Sequence, residues 1–152
     1  MQGAVFGRTL IKGSRERALR IMKLTRSVAY GVGILLQIKD AKGGGPVTAA
    51  TIARDCKFPP RFLYRVLRRL VDAGLLVGTS GPLGGYELAR RSEGITLLDI
   101  VDAVESPPEP SVLEPVRAKH RRAIGKVNRL CRLEADRFRR ELKKVTLAKL
   151  RA

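Results

Sequence analysis

Apolar residues recur at helical spacing twice in the stretch 47–86, on either side of a turn with two adjacent prolines. Thr48 stands where a helix N-cap is expected, and apolar positions then repeat at helical spacing as far as Ala53. Pro59 and Pro60 have no N–H to donate, so the first helix must end before them, although Pro60 suits the first turn of a new helix. The pattern therefore predicts a short helix followed by a second helix that begins near Pro60.

The second predicted helix carries one apolar face and one basic face. The apolar positions, which we expect to pack against a core, are Phe62, Leu63, Val66, Leu67, Leu70 and Val71. The other face follows helical spacing and consists of Arg61, Tyr64, Arg65 and Arg68. A helix divided in this way is expected to pack on one side and to present cations on the other.

A glycine-rich hairpin is predicted after the second helix. Gly74 follows the last apolar position as a helix C-cap, and the residues from Leu75 to Val77 favour a short strand. The sequence Gly-Pro-Leu-Gly-Gly-Tyr at 81–86 predicts the turn, with a returning strand from Tyr86 to Ala89. Helix, turn, second helix and hairpin in this order describe a winged helix-turn-helix, whose second helix can enter the major groove of DNA. We expect a mainly α fold with a small β-hairpin wing.

Two further helices are predicted around this unit. Thr25 can cap a helix that runs to about Lys39, with its apolar positions turned inward. Thr96 with Asp99 three residues later resembles a capping box for a helix that ends near Glu105. Both helices are expected to contribute mainly to the core.

The chain divides into four predicted parts. Residues 1–21 form a basic extension, disordered or partly helical, which is either an over-long start-site assignment or an arm that reaches along DNA. Residues 22–105 form the winged helix-turn-helix domain, and the proline-rich stretch 106–115 is a linker. Residues 116–152 form a terminal helix that joins two subunits.

The terminal helix carries a repeat typical of helix pairing. Apolar residues recur there every seven positions, which predicts a seam against a partner helix. The seam residues are Ile124, Val127, Cys131, Phe138, Leu142 and Val145. An amphipathic helix folded back on its own domain would explain the stripe too, but its length and narrowness favour a second subunit.

The charge of the chain predicts a polyanionic partner. Lysine and arginine number 31 against 14 acidic residues, which gives a net charge of +17 and a strongly positive surface. Only two cysteines occur, and the sequence has neither a signal peptide nor an apolar span of membrane length. We expect a reduced, cytoplasmic protein that makes no contact with membranes.

Several short motifs occur in a characteristic order along the chain. They are Met22-Lys23-Leu24-Thr25, Pro46-Val47-Thr48, Ala73-Gly74-Leu75, Gly81-Pro82-Leu83-Gly84-Gly85-Tyr86 and Ile95-Thr96-Leu97-Leu98-Asp99-Ile100. Together they make the chain resemble an Rrf2-type bacterial transcriptional regulator from about residue 22 to its end. The wing glycines and the helix motif after them are the most specific parts. The resemblance implies a homodimer that binds double-stranded DNA.

The candidate DNA contacts centre on the second helix. Arg61 and Arg65 are the first choices for reading bases, because an arginine can donate two parallel hydrogen bonds to guanine. Arg68 and Arg69 lie farther from the helix start, where phosphate contact is expected. The alternative is that these side chains form an ordinary solvated charged face and do not contact DNA. The full predicted set is Thr25, Arg26, Tyr30, Thr48, Arg61, Tyr64, Arg65, Arg68, Ser80, Leu83, Gly84 and Tyr86. Many Rrf2-type relatives carry an arginine where Ser80 stands, which puts a minor-groove arginine contact in doubt.

Cysteine usage argues against a metal cofactor. Several Rrf2-type regulators hold an iron–sulfur cluster with three cysteines before the terminal helix, whereas the stretch 106–125 has none. His120 is the only histidine, so we predict no metal site and no cofactor. Cys56 and Cys131 are expected to be packed thiols, with redox sensing through Cys131 as the alternative.

No set of catalytic residues emerges, so an enzyme is not expected. The sequence predicts a sequence-specific regulator that acts as a homodimer on a palindromic operator, more as a repressor than as an activator. A winged-helix module that binds RNA or an acidic protein is the competing interpretation.

Overall fold

The computed structural model describes residues 24–41, 45–105, 113–115 and 117–150. The described helices and strands are α1 Arg26–Lys39, α2 Ala49–Cys56, α3 Pro60–Asp72, β1 Leu76–Thr79, β2 Gly85–Leu88, α4 Leu97–Val104 and α5 Arg121–Lys144. Short 3-10 turns cover Ser92–Gly94, Ala118–His120 and Leu147–Lys149. The predicted fold class, mainly helical with a β-hairpin wing, is confirmed. The predicted basic extension 1–21 lies outside the described residues, as does most of the predicted linker 106–115.

Side-chain caps start three of the helices at the predicted residues. The Thr25 hydroxyl accepts a hydrogen bond from the Ser27 N–H at 3.2 Å, and Thr48 starts α2 in the same way. At α4, the Thr96 hydroxyl accepts from the Asp99 N–H at 3.2 Å while the Asp99 carboxylate accepts from the Thr96 N–H at 2.8 Å. These caps satisfy N–H groups that have no partner within the helix.

The turn between α2 and α3 also follows the predicted proline chemistry. Lys57 ends α2 in the left-handed region, with a φ of 50°. Pro59 then stands at the N-cap of α3, and Pro60 occupies the first helical turn, where the missing N–H has no consequence. At the other end of α3, Gly74 adopts a φ of 66°, which suits glycine best.

The core lies where α1, α3 and α4 meet. Its most deeply buried side chains are Ile34, Leu35, Ile52, Leu63, Leu67, Leu70, Leu75, Ile95, Ile100 and Leu147. Gly31 lets α4 approach α1 closely, because a Cβ there would lie 3.1 Å from the Ile100 Cγ2 atom. The core therefore joins residues from both ends of the described chain.

The wing is an antiparallel pair in which Leu76 lies opposite Leu88 and Thr79 lies opposite Gly85. The two strands begin and end within two residues of the predicted bounds. A third segment joins them, since Val47 and Tyr86 each donate a backbone hydrogen bond to the other at 2.9 Å. The wing is thus fixed to the chain just before α2.

The end of the chain departs from the predicted long helix. α5 stops at Lys144, Val145 is extended, and Thr146 forms a β-bridge with Thr96. Leu147 then enters the core with none of its surface exposed. The observed helix is therefore shorter at both ends than the predicted helix 116–152. At its C-terminal end, the apolar repeat continues into a segment that is not α-helical and that docks on the first domain.

This docking also corrects two residues of the predicted seam. Leu142 is buried in the core of its own chain, and Val145 lies outside the helix. Phe138 packs against the same core, and Arg139 makes a double ion pair with Asp102 at 3.0 and 3.2 Å. The last turns of α5 are thus attached to their own domain.

The start of α5 is held differently. The Asn128 side chain forms two hydrogen bonds with the Leu113 backbone, accepting at 2.9 Å and donating at 3.1 Å. This pair attaches the end of the predicted linker to the helix. Within the described ranges, no helix is both long and apolar enough to cross a membrane.

Candidate nucleic-acid interface

The predicted division of α3 into two faces is largely confirmed. Leu63, Val66, Leu67 and Leu70 are buried, while Arg61, Tyr64, Arg65 and Arg68 are exposed. Phe62 is the exception, because 43% of its surface is exposed although the sequence pattern placed it in the core. α3 therefore presents an arginine-rich face with one aromatic ring at its edge.

Phe62 lies in a short aromatic ladder that ends on a predicted base-reading residue. The Arg65 guanidinium lies over the Phe62 ring, 4.8 Å from its centroid. The Tyr30 ring is 6.2 Å from Phe62 and 4.4 Å from Phe58, centroid to centroid. The ladder connects α1 to the exposed face of α3. Sequence reasoning missed this role, although Phe62 and Arg65 stand at i, i+3 on one helix.

The predicted contacts on α1 and α2 have structural roles as well. Tyr30 is half-buried in the ladder, so its ring packs rather than standing free. Thr25 and Thr48 are helix caps, and their hydroxyls accept backbone N–H groups. Arg26 is exposed in the first turn of α1. These positions place the N-termini of α1 and α2 at the surface, and the Thr25 N–H donates to the Glu105 carboxylate at 2.9 Å.

The two arginines at the end of α3 differ in their partners. Arg68 makes an exposed ion pair of 3.9 Å with Asp72, a weak interaction that leaves its guanidinium accessible. Arg69 donates to the Val104 carbonyl at the end of α4. This bond joins α3 to α4 through one nitrogen of the guanidinium, and the phosphate contact expected for Arg69 stays a prediction.

Two glycines of the wing lie against neighbouring backbone that leaves no room for a side chain. A Cβ on Gly84 would lie 2.2 Å from the Thr79 carbonyl oxygen, and one on Gly85 would lie 2.7 Å from the Val47 oxygen. Only Gly81 requires glycine for its φ, which is 117°. Leu83 at the tip is 92% exposed, and Ser80 beside it is exposed as well.

A cleft of about 400 Å³ separates α3 from the wing. It is lined by Tyr64, Arg68, Val71, Gly78, Thr79, Ser80, Gly85 and Tyr86. The fold thus brings together residues of α3 and of the hairpin that the sequence predicted separately. Its lining contains a cation and no acidic side chain, which favours a negatively charged ligand.

The two cysteines lie in different surroundings. Burial and the nearby Asp55 carboxylate raise the pKa of the Cys56 thiol, which packs against the core as predicted. Cys131 is exposed on α5, so it is not packed within its own chain. In the described parts of the chain, no three His, Cys, Asp or Glu side chains could hold a metal ion together.

Comparison with known proteins identifies the family. The model of the Rrf2 family, described as "Iron-dependent Transcriptional regulator", matches residues 24–152. The chain belongs to the Rrf2 family. The members of this family are transcriptional regulators that bind DNA, and they are not enzymes.

Individual Rrf2 proteins support this assignment. The HTH-type transcriptional regulator CymR of Bacillus subtilis is 32% identical over 94 residues, which cover 61% of this chain and 68% of CymR. Protein rrf2 of Nitratidesulfovibrio vulgaris is 36% identical over 89 residues, which cover 59% of each chain. The structure of CymR, the global cysteine regulator of B. subtilis, has a TM-score of 0.65 at 25% identity and covers 84% of this chain and 95% of that one.

Proposed function

We propose that this Rrf2 regulator is a homodimeric repressor that reads a palindromic operator with α3 and the wing, without an iron–sulfur cluster. The observation that carries the proposal is the exposed arginine face of α3 across the cleft from the wing. The buried residues of α3 lie against the core, so its arginines can enter a DNA groove without unfolding any part of the chain.

Arg61 and Arg65 near the start of α3 are proposed to donate to guanines in the major groove. Phe62 holds the Arg65 guanidinium over its ring, which orders the arginine before DNA binds. Tyr64 on the same face would contact a thymine methyl group or a phosphate, and Arg68 a phosphate. Ser80, Leu83, Gly84 and Tyr86 place the wing against the sugar–phosphate backbone.

The remaining predicted contacts would hold the backbone of the DNA. Thr25, Arg26 and Thr48 lie at the starts of α1 and α2, and a helix N-terminus favours phosphate. Tyr30 acts through the aromatic ladder. Together these contacts would set the orientation of α3 on the duplex, while the arginines supply the sequence preference.

The dimer is proposed to form through α5. Val127 and Leu130 are 41% and 62% exposed, although they are large apolar side chains. Ile124 and Cys131, which the sequence placed in the seam, are proposed to belong to this surface as well. Leu142 and Val145 are no longer assigned to it. Exposed apolar side chains along one helix are typical of a surface that a partner covers. We propose 22–105 as the DNA-binding domain and α5 as the subunit contact.

A cluster-free state is proposed because the thiols are too few and too far apart in the chain. Cys56 is on α2 and Cys131 is on α5, and the stretch 106–125 has no cysteine. Since the family as a whole is described as iron-dependent, this proposal sets the chain apart from other members. We propose that it works in the cytoplasm, where thiols stay reduced.

The exposure of Cys131 favours a second candidate function, a redox-responsive regulator. Cys131 lies among the apolar residues of α5, so two copies could bring their thiols together in a dimer and form a disulfide on oxidation. Cys56 does not share this property, since its thiol is packed.

Footprinting on the region upstream of the chain's own coding sequence tests the main proposal. A regulator of the proposed kind protects two symmetric half-sites and resists competition by unrelated DNA. Protection without sequence preference, or tighter binding to RNA of equal length, would support the competing interaction module instead. A colourless anaerobic preparation is expected, and visible absorption would contradict the cluster-free state.

A further inference from the structure

The first half of α5 carries a row of cations that no part of the proposed operator contact uses. Arg122, Lys126 and Arg129 follow i, i+4, i+7, so they lie on one face of the helix. All three are exposed. We call these three residues the α5 basic stripe.

The basic stripe is unfavourable for the helix that carries it. No acidic residue stands three or four positions from any of the three, and each has another cation at such a distance. The first turn of α5 contains no acidic residue, although a helix N-terminus is stabilised by negative charge. A local arrangement that weakens its own helix is expected to serve another purpose.

Leu133 lies on the same side of α5 as the stripe, but the stripe lies opposite Val127 and Cys131 of the proposed subunit contact. With 3.6 residues per turn, its centre is about 150° around the helix from the midpoint of Val127 and Cys131. The end of α5 is attached to its own domain through Leu142 and the Arg139–Asp102 pair. A partner helix that packs on Val127 and Cys131 therefore leaves the stripe free.

A second copy of the chain is poorly suited to neutralise the stripe. The chain has 14 acidic residues, and within the described ranges seven of them pair with cations of the same chain. Among the others, Glu134 and Asp136 lie on α5 itself, whose cations outnumber its acids. With a net charge of +17, another copy adds more positive charge than negative.

We infer that the α5 basic stripe binds the phosphate backbone of DNA that flanks the operator. This inference rests on the DNA-binding function and adds a contact outside α3 and the wing. The three cations would release counterions from the duplex without reading bases, so they would add affinity at every sequence. Helix α5 has 24 residues, which corresponds to a length of about 36 Å, and it therefore carries the stripe well away from its attachment.

Two duplexes and two variants test the inference. One duplex is the minimal site from footprinting; the other adds about ten base pairs on each side, because 36 Å of helix spans about that length of DNA. The triple variant Arg122→Gln, Lys126→Gln, Arg129→Gln removes the stripe and keeps helix propensity. The control Arg137→Gln, Arg140→Gln, Lys143→Gln removes the same charge from the other half of α5.

Fluorescence anisotropy over a series of salt concentrations gives the readout. On the extended duplex, the stripe variant should lower the slope of log K against log salt by about two to three, as expected for three lost phosphate contacts. On the minimal duplex the slope should stay unchanged, and the control variant should match the parent on both duplexes.

Several results would overturn the inference. They are equal slopes for all three proteins, equal losses for the stripe and control variants, or an equal loss on both duplexes. The inference would also be wrong if the stripe bound a second, separate duplex or preferred RNA to DNA. A stripe variant that is monomeric in sedimentation would show that the stripe belongs to the subunit contact instead. Failure of the parent to prefer the minimal site would instead count against the proposed operator reading.

Discussion

Removing the Phe62 ring tests whether the aromatic ladder orders the arginine that reads DNA. In Phe62→Leu an apolar side chain is kept at this exposed position, while the ring under the Arg65 guanidinium is lost. A cation over an exposed ring contributes about 0.5–1 kcal/mol. If this free energy orders Arg65 for its guanine, binding should weaken about two- to fivefold for each half-site, and therefore about five- to thirtyfold for a dimer on the whole operator.

A double-mutant cycle separates this effect from general damage. The operator affinity of Phe62→Leu, Arg65→Ala and the double variant is measured by anisotropy, with thermal unfolding as a check on stability. Phe62→Leu should weaken binding in the parent and leave it unchanged once Arg65 is alanine, so the two changes couple by about 0.5–1 kcal/mol per subunit. Phe62→Tyr keeps an aromatic face and should bind like the parent.

One result would refute the reasoning. If Phe62→Leu weakens binding equally with and without the Arg65 side chain, then Phe62 contacts DNA directly or only supports the fold. If a fall in melting temperature accounts for the whole loss of operator affinity, then Phe62 acts by stabilising the fold.

Four other predictions address single features. Arg65→Ala should cost about 1–3 kcal/mol on the operator and relax preference at one base pair per half-site, and an equal loss on all sequences would make it a phosphate contact. Leu130→Asp should give a monomer in sedimentation with the helical circular dichroism kept, and an unchanged dimer would move the interface elsewhere. Leu147→Ala should lower the free energy of unfolding by about 2–5 kcal/mol in denaturant titration, and a negligible change would mean that the chain end does not dock. Because the pKa of Cys56 is raised, less of it is thiolate at pH 8, so iodoacetamide should label Cys131 first, and faster labelling of Cys56 would contradict its packing.

The boundaries of local structure could be predicted from the sequence. Thr25, Thr48 and Thr96 start helices as expected, and Pro60 opens α3. A cap or a proline acts on backbone groups within four residues, so its effect depends little on the rest of the fold. The same holds for the buried and exposed faces of α3, whose period of 3.6 residues is a property of the helix itself.

Contacts between distant parts of the chain were decided by the tertiary structure. A heptad repeat shows that one face of α5 is apolar but not which surface covers it, and Leu142 packs in its own domain while Leu130 remains exposed. Phe62 lies outside the core, with its ring 6.2 Å from that of Tyr30 on α1. Gly84 is required because the Thr79 backbone passes within 2.2 Å of where a Cβ would stand. Each of these depends on residues whose distance in space cannot be calculated from their spacing along the chain.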